Sequence, residues 1–388
     1  MARPNLCDPK LVLDPHKKLE EKRAPLKSWA NTSMGKDRRQ QVEIENKVLS
    51  PSPSEPGVRA ARRPDMAMDC IEENGHRHAL SLWLTDERGT DSTILLQYGS
   101  LDMAPSLLMR DMEVAMEKLG LTFVKIYALD IFCDMMRKQS SYALQSPELP
   151  SGFTSCTRAI LVDWLIQVHD AFHYSEETLY LTVHLLNRCM RSCRVSIATF
   201  QLLGMACLFI ASKREECLLP EVSELCFLME NTYSKKQLLR MERHVLKELK
   251  YDLSYCYPLH FLLLSGTITR YSAQVLWMAR YFLELTLLEP QCLVFQPVQL
   301  ASAALCLACR VLQGQLFPAS ERAWMTAGSI YICSERTAQR ILHYIARLVM
   351  RAGASETQAT FLKFSSVTRL QVSLHPCLQS VLPLLGLL

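Results

Sequence analysis

The run of residues 202–212, LLGMACLFIAS, constrains the fold of this chain more than any other stretch. It contains no charged residue, and in a helix its apolar side chains would point in every direction. A helix without a polar face has to be enclosed by other helices. The run is also shorter than the roughly 20 apolar residues that a membrane-spanning helix needs. We therefore interpret it as the central helix of an all-α domain.

Segments with helical spacing of apolar residues lie on both sides of this run. Ser175 and Pro220 each predict the start of a helix, since both residue types are favoured in or just before the first turn. Ser234 and Gln237 have the spacing of a capping box. The sequence thus predicts five helices: residues 158–172, one from Ser175, the charge-free run, one from Pro220, and residues 235–249.

A second charge-free run occupies residues 297–309, PVQLASAALCLAC, and ends on Arg310. Gln201 and Gln299 each stand before a leucine near the start of the two runs, 98 positions apart, and Ala206 and Ala304 keep the same register. An internal repeat of this kind predicts that the bundle was built twice. Residues 123–139 predict a further amphipathic helix ahead of the first bundle.

Composition excludes several classes of function. A net charge of +4 over 388 residues gives little reason to expect nucleic acid or a membrane as partner. The polar, proline-broken start is not a signal peptide, so the 15 cysteines are expected to be reduced thiols. Cys306 and Cys309 form a C-x-x-C without a second pair, which favours buried thiols over zinc. With no catalytic or phosphate-loop motif present, we expect no metal, no cofactor and no enzymatic activity.

The two ends of the chain lack helical periodicity. Residues 1–115 are predicted to form a largely disordered regulatory tail and linker, because their first part is rich in charged residues, proline and serine. Within it, Arg23, Leu26 and Asn31 have the spacing R-x-x-L-x(4)-N. An accidental match in a basic tail is the alternative. Residues 351–388 are predicted to be a C-terminal tail whose apolar end either packs on the second bundle or stays loose.

Several blocks of sequence, in order and spacing, resemble the cyclin family. They are TRAILVDWLIQVHDAF, QLLGMACLFIASKREE and YSKKQLLRMERHVLKELKYDLS, with PLHFL and YFLELTLLEP similar to mitotic A/B-type members. The combination of LFIASKREECLLPE with YFLELTLLEP looks closest to the P-type branch. The resemblance implies two tandem five-helix cyclin-fold domains, at residues 116–255 with the N-terminal helix and at residues 256–350.

The function implied by this resemblance is that of a regulatory subunit. Such a protein binds and activates a cyclin-dependent protein kinase and helps to select substrates in cell-cycle control, in the nucleus and the cytoplasm. Two alternatives stay open: a cyclin-fold transcription-associated binding protein that activates no kinase, and a helical enzyme that uses carboxylates. We expect neither nucleic acid nor a membrane as partner.

The resemblance also implies which residues bind the kinase. Lys213 and Glu242 correspond to the family's anchors for kinase backbone groups, with Glu216 beside them. Ile131 corresponds to an apolar contact of the preceding helix, and Arg214 stands where the family has an aromatic residue at the kinase-facing edge. Without the resemblance, Lys213 and Glu242 are typical of an ordinary surface pair, which contributes little to stability.

A second surface is implied on the first helix of the box. There, related cyclins bind R-x-L segments of substrates and inhibitors, and the matching residues are Ile160, Leu161, Trp164 and Gln201. The alternative for Trp164 is a core position, which is more usual for an aromatic residue at helical spacing. Thr157 replaces the methionine that commonly opens this motif.

Two further roles follow from the resemblance alone. Arg158 and Asp163 resemble an internal ion pair with a structural role. Arg23, Leu26 and Asn31 resemble a destruction box, which implies recognition by the ubiquitin-ligase machinery.

Overall fold

The computed structural model describes residues 110, 113–117, 127–192, 195–313 and 335–381. These residues contain helices and turns and no β-strand, as the all-α prediction requires. The helices in chain order are α1 Ala128–Lys138, α2 Ser155–Ala171, α3 Glu176–Ser192, α4 Phe200–Glu215, α5 Val222–Leu228, α6 Lys235–Glu248, α7 Pro258–Ile268, α8 Ala273–Leu285, α9 Pro297–Gln313, α10 Glu335–Ala352 and α11 Ala359–Phe364. Short 3₁₀ turns lie at Gln139–Tyr142, Ile197–Thr199, Thr286–Leu288, Pro290–Val294, Val367–Arg369, Val372–Leu374 and Pro376–Ser380.

Helix α4 is the central helix of the first bundle, as its charge-free sequence predicts. Every residue from Phe200 to Ser212 is buried, and α2, α3 and α6 pack around it. Gly204 allows α2 to come close, because a side chain there would meet the methyl groups of Leu161 at 3.1 Å. With the turn before it, the segment Ile197–Glu215 is long and apolar enough to cross a membrane, but 72% of its most apolar window is buried inside the protein. It is a core helix.

Helix α9 has the same place in the second bundle, which confirms the internal repeat. It packs against α7, α8 and α10, and its inner residues Ala304 and Leu307 are fully buried. Residues 314–334, which follow α9, lie outside the described residues. The apolar face of α10 includes Ile341 and Ile345, both fully buried.

Helix starts show where local sequence rules were right and where they were wrong. The capping box before α6 is confirmed: the Ser234 N–H donates to Gln237 Oε1 at 2.8 Å, and the Gln237 N–H donates to Ser234 Oγ. The prediction that Pro220 lies in the first turn of the next helix is wrong. Helix α5 begins at Val222, two residues beyond the proline, because Glu221 is the N-cap and forms a capping box with Glu224.

Helix α1 is confirmed, with a later start at Ala128; residues 118–126 lie outside the described part of the chain. It packs against the second bundle as well as preceding the first. The Phe132 ring meets the edge of Phe261 with ring centres 6.3 Å apart, and Gln139 Oε1 accepts the Val298 N–H at 3.1 Å. The segment before the first bundle therefore joins it to the second.

The C-terminal region is packed where the sequence predicted a tail. Asp163 Oδ1 on α2 accepts the N–H of Ala359 at 2.8 Å, and Arg369 pairs with Asp170 at 2.9 Å. The turn Pro376–Ser380 lies against α9 and α10. Residues 359–381 thus bind both bundles, through these polar contacts and through the buried side chains of Phe364, Val372 and Val381.

Candidate functional site

Lys213 and Glu242 meet at the surface end of the buried helix α4. Lys213 Nζ lies 2.5 Å from Glu242 Oε1, with 40% of the lysine side chain and 10% of the glutamate side chain exposed. Lys213 Nζ also lies 4.0 Å from the ring centre of Phe209, one helical turn earlier on α4. This cation–π contact helps to hold the ammonium group in place. The structure thus brings the two predicted anchors together on a rigid helix end.

Apolar side chains that the sequence analysis did not single out are exposed near this pair in the chain. Leu218 is 79% exposed and Leu219 is 47% exposed in the loop after α4. Leu239 is exposed on α6, three residues before Glu242 and therefore on the neighbouring turn of the same side. The signal was the CLLPE sequence itself, in which two leucines directly precede a proline in a loop.

Glu216 has an internal role that the sequence did not predict. Its Oε1 accepts hydrogen bonds from the Ser175 N–H at 2.8 Å, from Ser175 Oγ at 3.0 Å and from the Thr178 hydroxyl. Its negative charge therefore lies at the positive N-terminal end of α3, where a carboxylate is stabilising. A kinase contact through this oxygen would have to displace these bonds.

Arg214 and Ile131 are placed as follows. The Arg214 guanidinium pairs with Glu215 at 3.1 Å and also donates to the Leu253 carbonyl, so it is held toward the end of the first bundle. Ile131 is half-buried on α1. On the same helix, Asp134 pairs with Lys138 at 2.8 Å.

Most of the predicted R-x-L docking patch lies beneath the surface. Leu161, Trp164 and Gln201 are 1%, 7% and 5% exposed, and only Ile160 is half-buried. The indole N–H of Trp164 has no hydrogen-bond partner in the described part of the chain. Three of these four side chains therefore lie in the packing between α2 and α4, and Ile160 is the most accessible of them; a docking role for the four residues stays a prediction. The core alternative for Trp164 is the one the structure supports.

The prediction that Arg158 and Asp163 form an internal ion pair is wrong. The Arg158 guanidinium donates to Asn187 Oδ1 at 2.9 Å and to the backbone carbonyls of Leu287 at 2.9 Å and Leu288 at 3.3 Å. Asp163 accepts instead from Gln167 at 2.9 Å and from the Ala359 N–H. Both residues are structural, as predicted, but each one ties α2 to a different part of the second bundle and C-terminal region.

Burial shifts the pKa of several groups in this framework. Complete burial lowers the pKa of Arg158 to about 10. It raises the pKa of Asp163, and the hydrogen bonds from Ala359 and Gln167 partly oppose it. Burial also lowers the pKa of His169 and of His184 to about 3, so both imidazoles are neutral in the folded protein. All four groups are therefore part of the buried interior of the bundles.

Residues able to hold a metal do not cluster in the described part of the chain. Cys306 and Cys309 are buried free thiols inside α9, and burial raises the pKa of both. The motif at Arg23, Leu26 and Asn31 lies outside the described residues.

The fold defines a class of protein: two tandem helical bundles, each built around a buried and largely uncharged helix. A model of the cyclin N-terminal domain matches residues 130–254, and one of the cyclin C-terminal domain matches residues 256–378. The chain belongs to the cyclin family. Within that family it is a mitotic A/B-like cyclin.

Similar curated proteins include mitotic cyclins. The chain is 34% identical over 260 residues to a G2/mitotic-specific cyclin-B of Spisula solidissima, covering 67% of this chain and 59% of that protein. It is 35% identical over 225 residues to a G2/mitotic-specific cyclin-B2 of Anguilla japonica, covering 58% and 56%. The match thus spans somewhat more than half of each relative's length. The P-type assignment stays a prediction.

Among solved structures, a viral cyclin from herpesvirus saimiri is similar with a TM-score of 0.47 and 18% identity. The match covers 57% of this chain and 95% of that one.

Proposed function

We propose that this protein binds a cyclin-dependent serine/threonine protein kinase and activates it, without catalysing a reaction itself. The observation that carries the proposal is the Lys213–Glu242 pair, partly exposed at the end of the buried helix α4. Lys213 has three N–H donors, and an exposed ammonium can donate to carbonyls of a partner as well as to Glu242. The exposed leucines nearby would add apolar area to the same contact.

Activation by such a surface follows from a population shift. A protein kinase transfers phosphate only when its inner lysine–glutamate ion pair is assembled, which requires its helix C to be in place. A partner that binds the active position more tightly than the inactive one shifts the equilibrium by that difference in affinity. A helix end anchored in a fully buried core can act in this way, because it does not yield when the kinase contacts it.

The finer parts of the function are proposals that rest on the family. The protein helps to select substrates or inhibitors with R-x-L segments. The motif at Arg23, Leu26 and Asn31 directs ubiquitin-dependent degradation. The protein acts in the nucleus and the cytoplasm. Because three residues of the expected docking patch are buried, we expect R-x-L binding to be weak unless α2 and α4 move apart.

The test is activation of purified candidate kinases by the full chain. We expect Lys213→Glu to abolish binding and activation. The double reversal Lys213→Glu with Glu242→Lys keeps an internal ion pair and thus the fold, but should not restore binding, because donors and acceptors for the kinase have changed places. A matched control reverses the surface pair Arg188–Asp252, whose charges are 3.5 Å apart.

Two results would count against the proposal. One is kinase activation by the double reversal equal to that of the native chain. The other is retention of no kinase at all when the native chain is used to capture partners from dividing cells.

A further inference from the structure

The solvent-facing side of α10 in the second bundle is lined with arginines. Arg336, Arg340, Arg347 and Arg351 are all exposed. At 100° per residue they fall within an arc of about 60°, and they extend over about 22 Å of the helix. We call these four residues the arginine stripe.

The opposite face of α10 fixes the stripe in place. Ile341, Leu342, Ile345 and Ala346 are at most 1% exposed and pack into the second bundle. The apolar face is therefore not free to enter a lipid surface, which distinguishes α10 from an interfacial membrane helix. The arginines project from a rigid support.

The charges of the stripe are not compensated within the described part of the chain. None of the four arginines forms an ion pair there; Arg340 lies over the Phe295 ring, 5.5 Å from its centre. Like charges four residues apart, as in Arg336–Arg340 and Arg347–Arg351, destabilise a helix. The helix sequence contains one acid, Glu335, at its first position. The stripe thus contains two repulsive contacts on one face of the helix.

We propose that the arginine stripe binds a carboxylate-rich segment of a partner protein. Guanidinium groups match carboxylates in a two-pronged geometry. The arginines are spread along the helix, so each can meet one carboxylate, whereas a phosphorylated residue needs several cations that converge on one point. A single row of charges can contact only one strand of a nucleic acid duplex. The low net charge of the chain also adds little attraction for a polyanion.

The first bundle provides a matched control. Lys236, Arg243 and Lys247 are exposed cations on α6, the helix that corresponds to α10 in the repeat. Replacing them by glutamine removes the same number of charges as Arg336→Gln, Arg347→Gln and Arg351→Gln in the stripe. Arg340 is left unchanged in the stripe variant, so that its contact with Phe295 is preserved.

The experiment uses the full chain and a labelled peptide of repeated glutamate and alanine, with binding followed by fluorescence anisotropy. We expect the stripe variant to bind at least about tenfold more weakly than the native chain, and the α6 variant to bind as the native chain does. The α6 variant should keep the native melting temperature, and the stripe variant should keep or slightly raise it, since every replaced side chain is exposed and the stripe variant removes two like-charge contacts. Binding should weaken steeply as salt is added.

Three outcomes would overturn the proposal. The first is an equal loss of binding in the α6 variant, which would mean unspecific attraction. The second is tighter binding of a phosphoserine peptide than of the glutamate peptide, and the third is tighter binding of DNA of equal charge.

Discussion

Two lysine–glutamate pairs of this protein have the same chemistry and opposite surroundings. Lys213–Glu242 in the first bundle and Lys363–Glu284 in the second both have a nitrogen–oxygen distance of 2.5 Å. In the first pair the side chains are 40% and 10% exposed, and in the second they are 2% and 1% exposed. Distance alone therefore does not distinguish a surface that can bind a partner from an internal tie.

The environment decides the role of each pair. Glu284 on α8 is enclosed, and it also accepts a hydrogen bond from Thr360 Oγ1 at 3.2 Å, so its partners come from the C-terminal segment. Burial raises the pKa of Glu284, and Lys363 partly opposes this. Lys213 keeps contact with water and can exchange it for another protein. The buried pair holds the molecule together, and the exposed pair is available to a partner.

The largest effect should come from breaking the buried pair. Lys363→Met leaves the Glu284 carboxylate buried without its cation, which typically costs about 3–5 kcal/mol of unfolding free energy. Urea unfolding of the full chain measures this. The double variant Lys363→Met with Glu284→Leu should recover most of the loss, because no charge is then left in the core. No recovery would mean that packing, not charge, explains the single variant.

A buried cation with neutral partners sharpens the comparison. Arg158 donates to Asn187 and to two backbone carbonyls, and it forms no ion pair among the described residues. Asn187→Asp places a carboxylate at the acceptor already in use, so we expect the unfolding free energy to rise by about 2 kcal/mol, the scale of a hydrogen bond between charged groups. The isosteric change alters no packing. A lower melting temperature would contradict this expectation.

Buried histidines should make stability depend on pH. The folded-state pKa of His184 is about 3 and its ordinary value is 6.5, so the unfolded chain takes up the proton first as pH falls below 6.5. The contribution of His184 to the unfolding free energy is therefore fully present above pH 6.5. Below that pH it decreases by about 1.4 kcal/mol per pH unit. His184→Phe can keep the stacking on Tyr255, with ring centres 4.1 Å apart, but does not titrate.

The comparison is between the native chain and this variant at neutral pH and at about pH 5.5. The native chain should lose about 1.4 kcal/mol more than the variant does. Equal losses in both proteins would show that His184 is not the group that titrates.

The smallest effect on stability should come from the exposed pair. Lys213→Ala removes an interaction that is largely open to solvent, and the unfolding free energy should fall by no more than about 1 kcal/mol. The same variant should lose most kinase binding if the proposed function is right. A stability loss as large as that of Lys363→Met would mean that Lys213 is structural and would remove the contrast between the pairs.

Much of the fold could be predicted because its signals are local. The charge-free runs around Ala206 and Ala304 predict enclosed helices, and the structure has α4 and α9 there. The capping box at Ser234 involves atoms three residues apart, so local spacing is enough to predict it. The anchors Lys213 and Glu242 were named through the family resemblance, and the structure places them in contact.

What could not be predicted depends on contacts between residues far apart in the chain. Arg158 finds its acceptors at Asn187 and at Leu287, 29 and 129 positions away. Glu216 caps a helix that begins some forty positions earlier, as its bond to Ser175 shows at a separation of 41. The apolar pattern of a sequence does not specify which polar groups meet in the fold. The partners of Arg158 and of Glu216 could therefore not be predicted from it.

The sequence by itself determined that this protein is two helical bundles, each around an uncharged helix, because an apolar run has only one place to go in water. Only the tertiary structure decided which charges are buried and which stay open. The sequence does not distinguish a buried lysine or glutamate from an exposed one, because the solvation of the side chain depends on what the rest of the chain packs against it.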